Sequence, residues 1–388
     1  MSDQTSGVAP ARATFNPIRA TLNPARAAFA PYESFFGPDA PLSAEQVPTD
    51  TILYVNGAFV PKSRAVISVY DSSVQHGDGV YEGIRVYGRR ILMLREHLRR
   101  LYASCRSLGI AFDVPEAELT DILRELVRRN LAAGVHDIHI RLEVSRGLKR
   151  QTGMHPSLNV TPYSLIVCVD EKPPIFDKRG VRLVTSTFRR YAPDYLDPKI
   201  HSCNQLNQIL AAAEALRQGA DEAVMLDQNG FIAETNSANL QIVRDNELVM
   251  PTCDALLPGI TRSIVKSIAR ELGLAVAERN VSLSELYNAD EAFICGTVGE
   301  IAPVAEVDGR RIGGGFGADG AVGADGAVGA VGADGAVGAD ASGGAPALPG
   351  APGGEPGAPS APALPGPWTR RLSEAYRAFV LTHGVSVD

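Results

Sequence analysis

Apolar and polar positions change period along this chain, and the changes mark its elements. "ILYVNGAFV" (52–60) alternates around Asn56-Gly57, a pattern that predicts a β-hairpin with a tight turn. "RVYG" and "RILML" follow as strands. A helical period then predicts helices from about Arg95 and from Pro115 to Ala133. "DIHIRLEVS" and "YSLIVCVDE" return to the period of two. "KPPIF" (172–176) interrupts the pattern and serves as the expected domain boundary. Beyond it, the strand-like runs "VRLVTST", "EAVMLDQ", "LQIV" and "EAFICGT" alternate with helices expected near 203–218, 261–272 and 282–288. "LDPKIHS" (196–202) reads as extended, which would set Lys199 and His201 on one strand face.

Two stretches lack such periods. In 1–50 a seven-residue unit, "RATFNPI", "RATLNPA", "RAAFAPY", recurs, but a proline in each unit forbids a coiled coil. A disordered extension is expected there. Residues 313–366, with repeated "GADGAV" and "GAPALPG", have almost no large apolar side chains to offset the entropy of ordering, and read as a disordered insertion in a surface loop. "WTRRLSEAYRAFV" after it is a helix with Leu372, Ala375, Tyr376 and Phe379 on one face.

Composition narrows the function classes. The chain has 388 residues and a net charge of −7, with 45% hydrophobic and 21% charged residues, as in soluble globular proteins. No basic run points to nucleic acid, and no apolar run reaches the ~18–20 residues that span a bilayer. Five scattered cysteines without a C-x-x-C pair argue against a disulfide framework and a zinc site, and fit the cytoplasm.

Candidate chemistry gathers in the second half. "LLPGITRSIV" runs a Pro-Gly turn into a helix, so the amides of Ile260 and Thr261 and the Thr261 hydroxyl form a candidate anion site. Such turns also simply cap helices. Thr297 in "FICGTVGEIAPV" is a second hydroxyl of the same kind. Glu234 in "GFIAETNSAN", just after a strand, either faces a cleft or caps the next turn. Arg95 and Arg99 of "REHLRRL" read as a solvated face.

Together these motifs resemble the class IV aminotransferases, nearest to the branched-chain enzymes. The resemblance runs from about Leu53 to Val304 and resumes at Trp368. It rests on "YVNGAFVPKSRAVISVYDSSVQHGDGVYEGIRVYGRRILMLREHLRRL", "GADEAVMLDQNGFIAETNSANL", "LPGITR" and "GTVGEIAPV". It implies an α+β, two-domain fold type IV architecture, with a smaller N-terminal α/β domain (51–171), a linker (172–178) and a larger cofactor-binding domain (179–312 plus 367–388). It also implies pyridoxal or pyridoxamine 5′-phosphate as cofactor, an amino acid or 2-oxo acid as substrate, and a homodimer. Arg100, Ile260, Thr261 and Thr297 fall at the family's phosphate contacts, and Glu234 at the carboxylate opposite the pyridine nitrogen. Arg141, Tyr81 and His76 fall at its substrate pocket. Arg141 is either a carboxylate clamp or a strand-end arginine in an ion pair.

One motif departs from the family. "HSCNQLNQ" keeps the frame at Ser202, Asn204, Leu206 and Asn207, and Asn204 is counted with the cofactor contacts. His201, however, occupies the position of the Schiff-base lysine, and Gln205 that of a frequent tyrosine. An imidazole forms no stable imine with an aldehyde, but it can move a proton near neutral pH. The expectation is a cofactor held without a covalent bond and His201 as acid and base, with Lys199 as the substitute candidate. Ordinary branched-chain-type transamination, a cofactor-free lyase, isomerase or condensing enzyme, and a non-catalytic binding protein stay open.

Overall fold

The computed structural model describes residues 51–177, 179–313 and 365–388; the readings of 1–50 and of most of 313–366 lie outside the described residues. Six strands of the first half are β1 (Ile52–Val55), β2 (Ala58–Pro61), β3 (Gly79–Tyr87), β4 (Arg90–Ile91), β5 (Ile138–Ser145) and β6 (Ser164–Glu171). Those of the second half are β7 (Val181–Thr185), β8 (Glu222–Leu226), β9 (Ile232–Thr235), β10 (Asn239–Arg244) and β11 (Glu247–Met250). They continue as β12 (Ala275–Glu278), β13 (Glu291–Gly296), β14 (Glu300–Val307) and β15 (Arg310–Arg311), and β16 (Val385–Ser386) closes the chain. The helices are α1 (Ser72–His76), α2 (Leu94–Leu108), α3 (Glu116–Ala132) and α4 (Pro193–Leu196). After them come α5 (Leu206–Arg217), α6 (Ile260–Glu271), α7 (Leu283–Tyr287) and α8 (Pro367–Thr382).

The strands form two sheets, in the orders β16-β4-β3-β5-β6-β1-β2 and β12-β11-β10-β13-β14-β7-β8-β9, with β15 paired to β14. This is the expected α+β class. Asn56 and Gly57 both take positive φ (45° and 92°), as the two-residue hairpin turn between β1 and β2 requires. In the first sheet, α2 and α3 lay apolar stripes on the strands, so Leu98, Leu101, Leu123 and Leu126 join Ile140 and Val167 in one core. In the second, Ile264, Val265 and Ile268 of α6 pack with Leu372, Tyr376 and Val380 of α8 over Phe293 and Ile301.

The apolar stripe expected after the insertion is therefore real, and a carboxylate anchors its start. Glu291 accepts the Trp368 and Thr369 amides (2.9 and 2.7 Å) at the N-terminus of α8. The last strand departs from the expectation that all of 367–388 serves the second unit. Val385 pairs with Ile91 at the edge of the first sheet, and Val387 is buried in that sheet's core. An edge strand offers unpaired backbone groups, and the chain end satisfies them.

The expected extended run at 196–202 is also corrected. Pro193 starts the short helix α4, and Ile200 N–H then bonds the Asp197 carbonyl in a turn (2.9 Å). The Asp197 carboxylate takes the Lys199 amide (3.0 Å), an Asx-type bond that competes with strand geometry. Within this run only Ser202 bridges to a strand, opposite Val80. Lys199 and His201 thus share no strand face.

His139 on β5 has its pKa lowered to about 4, first by burial and then by the charges of Lys172 and Arg85. The unfolded chain takes up this proton near pH 6.5. The resulting stability is full above that value and falls as pH drops toward 4, because the unfolded state then binds more protons. Urea unfolding at pH 7 and pH 5 is expected to show wild type losing about 1–2 kcal/mol more than His139→Gln. Equal losses in the two proteins would contradict the assignment.

Candidate active site

Strand alternation places Glu82 on the same face of β3 as Val80 and Ile84, fully buried beneath α2. A lone carboxylate there would be expelled or protonated. One turn of α2 brings its partners, because residues three apart share a helix face. Arg100 donates from Nε to Oε1 and from Nη2 to Oε2, both at 2.7 Å. His97 Nδ1 lies 2.7 Å from Oε2. The Arg100 guanidinium and these hydrogen bonds hold Glu82 ionised, well below the ordinary carboxylate range, against the opposing effect of burial.

Arg100 also reaches the second half, where Nη1 donates to the Pro258 carbonyl (3.0 Å) just before α6. Gly259 caps that helix without any side-chain bond to its first amides. Ile260 and buried Thr261 open α6, a 12-residue helix whose N-terminal amides suit an anion. Thr297 follows β13. Arg100 and the start of α6 are therefore brought together, although three of the guanidinium's donors are already engaged by protein acceptors.

A cleft beside this cup is lined by Tyr81, Arg190, His201, Asn204, Gln205 and Glu234, among others. Glu234 sits inside β9 and not after it, and is 6% exposed. Its carboxylate accepts from Asn239 Nδ2 (2.9 Å) and the Leu257 amide (3.3 Å), and pairs with Arg190 Nη2 (2.8 Å). Burial raises its pKa, with Arg190 and the Leu257 amide acting against that shift.

The His201 side chain is 14% exposed. Its ring packs against Tyr81 at 4.0 Å between centroids, tilted by 36°, and its Nδ1 faces Glu82 Oε1 at 3.6 Å. Burial lowers its pKa, opposed mainly by Glu82, so the neutral imidazole is favoured near pH 7.

Other expected site residues lie elsewhere. Lys199 is half-exposed, paired with Asp197 at 3.4 Å and absent from the cleft lining; among the described residues, no lysine lines the cleft. Arg141 packs over the Tyr81 ring (4.0 Å) with its fork turned to Glu143 at 3.1 and 3.2 Å, which is the ion-pair alternative. His76 is exposed at the end of α1, outside that lining. Two residues escaped sequence reasoning. Glu82 lies inside a strand pattern, where a polar residue reads as outward-facing, and Arg190 follows another arginine in a loop. The only available signal for Glu82 was the i, i+3 spacing of His97 and Arg100.

The class IV amino-transferase model matches residues 79–307. Branched-chain-amino-acid aminotransferase-like protein 2 of Arabidopsis thaliana is 42% identical over 266 residues, covering 68% of this chain and 47% of that one. The chain thus spans about half the length of that relative. The putative branched-chain-amino-acid aminotransferase of Methanocaldococcus jannaschii is 40% identical over 261 residues, covering 67% of this chain and 89% of that one. Among solved structures, a T.th. branched-chain amino acid aminotransferase complexed with N-(5′-phosphopyridoxyl)-L-glutamate superposes with a TM-score of 0.70 at 30% identity, covering 88% of this chain and 99% of that one. The same enzyme with pyridoxamine 5′-phosphate gives 0.70 at 29% identity over 88% and 99% of the two chains. The chain belongs to the class IV aminotransferase family, whose members use pyridoxal or pyridoxamine phosphate.

Gly259 links the anion cup to Glu234, since a Cβ there would stand 2.0 Å from Asn239 Oδ1. Gly259→Ala is expected to push Asn239 off Glu234 and to cost about 1–3 kcal/mol in urea unfolding. An unchanged midpoint would show that the two parts are not coupled in this way.

Proposed function

We propose that the protein is a diverged branched-chain-type enzyme of this family, acting on an amino acid or 2-oxo acid with pyridoxal or pyridoxamine phosphate held non-covalently. The observation that carries this reading is the cleft itself, which presents His201 and, among the described residues, no lysine beside an intact carboxylate and anion cup. The residues fit the cofactor. The uncapped start of α6 with Thr261 and the remaining Arg100 donors would hold its phosphate, helped by Thr297 from the end of β13. Glu234 would face its ring nitrogen, and Asn204 and Gln205 border the same space. When bound, the cofactor supplies an electron sink for the pair released at the substrate's α-carbon.

The chain's own residues do the rest. His201 Nδ1 is turned to Glu82, which leaves Nε2 for the cleft. Nε2 would take the α-proton as the C–H bond breaks, leaving that bond's electron pair at the α-carbon for the sink the cofactor would supply, and would return the proton at the next step. A neutral imidazole is the competent form, and the lowered pKa favours it at neutral pH. Tyr81 buttresses one face of the ring, and Arg190, paired with Glu234 at 2.8 Å, opposes the rise that burial imposes on that carboxyl's pKa. Arg141 contributes by ordering Tyr81 and not as a carboxylate clamp.

A second reading has an observation in its favour. Arg100 is committed to Glu82 and Pro258, and Glu234 to Arg190, so the cup is internally paired in a way that suits a cofactor-free lyase or isomerase with the same base. Ordinary transamination through Lys199 is disfavoured by that residue's outward pairing. The exposed apolar residues of α5, Leu206 (61%) and Ile209 (59%), support a homodimer. The free cysteines fit the cytoplasm.

Borohydride reduction with added pyridoxal phosphate, followed by peptide mass mapping, separates the readings. The expected result is a cofactor absorption band that dialysis removes, no pyridoxyl group on Lys199, and about 10²–10⁴-fold lower turnover in His201→Ala. A Lys199 adduct would sink the proposal, and no binding at all would favour the cofactor-free reading. For assembly, sedimentation should give twice the 41.1 kDa chain mass, with Ile209→Glu shifting the protein toward monomer.

A further inference from the structure

We infer that Glu82 is a positioning residue for His201: its carboxylate holds the imidazole with Nδ1–H turned toward β3 and the Nε2 lone pair turned into the cleft. The inference deepens the proton-shuttle reading of His201 and rests on it for its catalytic meaning, but the tautomer itself can be measured separately.

The geometry comes from three elements. His201 is anchored at its backbone on both sides, its carbonyl accepting from the Tyr81 amide (2.9 Å) and its N–H donating to Ser104 Oγ of α2 (3.2 Å). Tyr81 limits rotation of the ring. What remains is the choice of which nitrogen carries the proton. Nδ1 is enclosed, has no hydrogen-bond partner among the described residues, and meets an acceptor-only group 3.6 Å away. That separation is longer than a hydrogen bond, so a small ring rotation completes it. A bare lone pair at Nδ1 would face a buried anion, which is the costlier arrangement. The proton therefore belongs on Nδ1, and that fixes the tautomer.

The same cluster keeps the base uncharged at rest. The groups facing His201 are Glu82 and Tyr81 from β3, and His97 and Arg100 from α2. Glu82 favours the imidazolium, while burial, Arg100 and His97 oppose it. Because Arg100 and His97 both bond the carboxylate directly, Glu82 orients the ring without drawing a second proton onto it. When Nε2 accepts the substrate proton, the imidazolium forms beside an anion already in place. Only the small ring rotation that closes the 3.6 Å gap between Nδ1 and Glu82 is needed to stabilise it.

The test uses the full chain labelled with ¹⁵N-histidine, with the His201 signals among the seven histidines assigned from the spectrum of His201→Gln. Imidazole ¹⁵N shifts and two-bond couplings at pH 7 are expected to show the Nδ1–H tautomer in wild type. An amide in Glu82→Gln presents a donor where the carboxylate offered only acceptors, so the signals should move toward the Nε2–H form. Turnover in that variant should fall about a hundredfold with KM little changed. An Nε2–H tautomer or an imidazolium in wild type at pH 7 overturns the inference without relying on any variant's folding. So would unaltered His201 shifts in a folded Glu82→Gln. His201→Ala retaining full turnover would instead sink the proton-shuttle reading, while the tautomer measurement still decides the role of Glu82.

Discussion

A carboxylate buried between a sheet and a helix is the constraint on which the rest of this site depends. Glu82 stays ionised in the core of the first half only because α2 delivers His97 and Arg100 to it from one helical turn. Breaking such a cluster by one member leaves an uncompensated charge, so its members stand or fall together. The cluster also does more than survive. Through Arg100 it reaches the Pro258 carbonyl at the start of α6, and through Oε1 it faces His201. The two halves of the chain thus meet across one charged group, and the cleft forms along that seam.

On the far side of the cleft a second buried pair, Arg190 with Glu234, repeats the logic with different consequences. Glu234 is held by Asn239 and the Leu257 amide, on the backbone that leads into α6. The carboxylate and the anion cup therefore sit at a set separation, fixed by a stretch of chain too tight to admit a side chain at Gly259. Arg190 nevertheless has Nε and Nη1 buried without a partner among the described residues. Arg190 also lines the cleft, so these donors border the space beside Glu234.

Much of the fold was legible in the sequence, because periodicity reports burial directly. The helices expected from about Arg95, at 115–133, 203–218, 261–272 and 282–288 appear as Leu94–Leu108, Glu116–Ala132, Leu206–Arg217, Ile260–Glu271 and Leu283–Tyr287. The Asn56-Gly57 hairpin follows from steric rules on positive φ alone. The run at 196–202 reads as extended in the sequence, but a short helix from Pro193 leads into it and the Asp197 carboxylate turns it at Lys199. Glu82 was missed for a related reason: period two assigns a face, and only the packing helix decides what that face meets.

By itself, the sequence determined the order and type of most elements, the Pro258-Gly259 turn that starts α6, and the imidazole at position 201. These are local properties, set by side-chain volume, backbone freedom and residue chemistry. Tertiary structure alone decided that Lys199 turns to Asp197 and away from the cleft, that Arg141 is spent on Glu143, and that Glu82 and Arg190 back the site. Those outcomes depend on which charges meet in a low-dielectric interior. Pairing across 18 to 44 residues of chain, from Glu82 to Arg100 and from Arg190 to Glu234, leaves no periodic trace in a sequence.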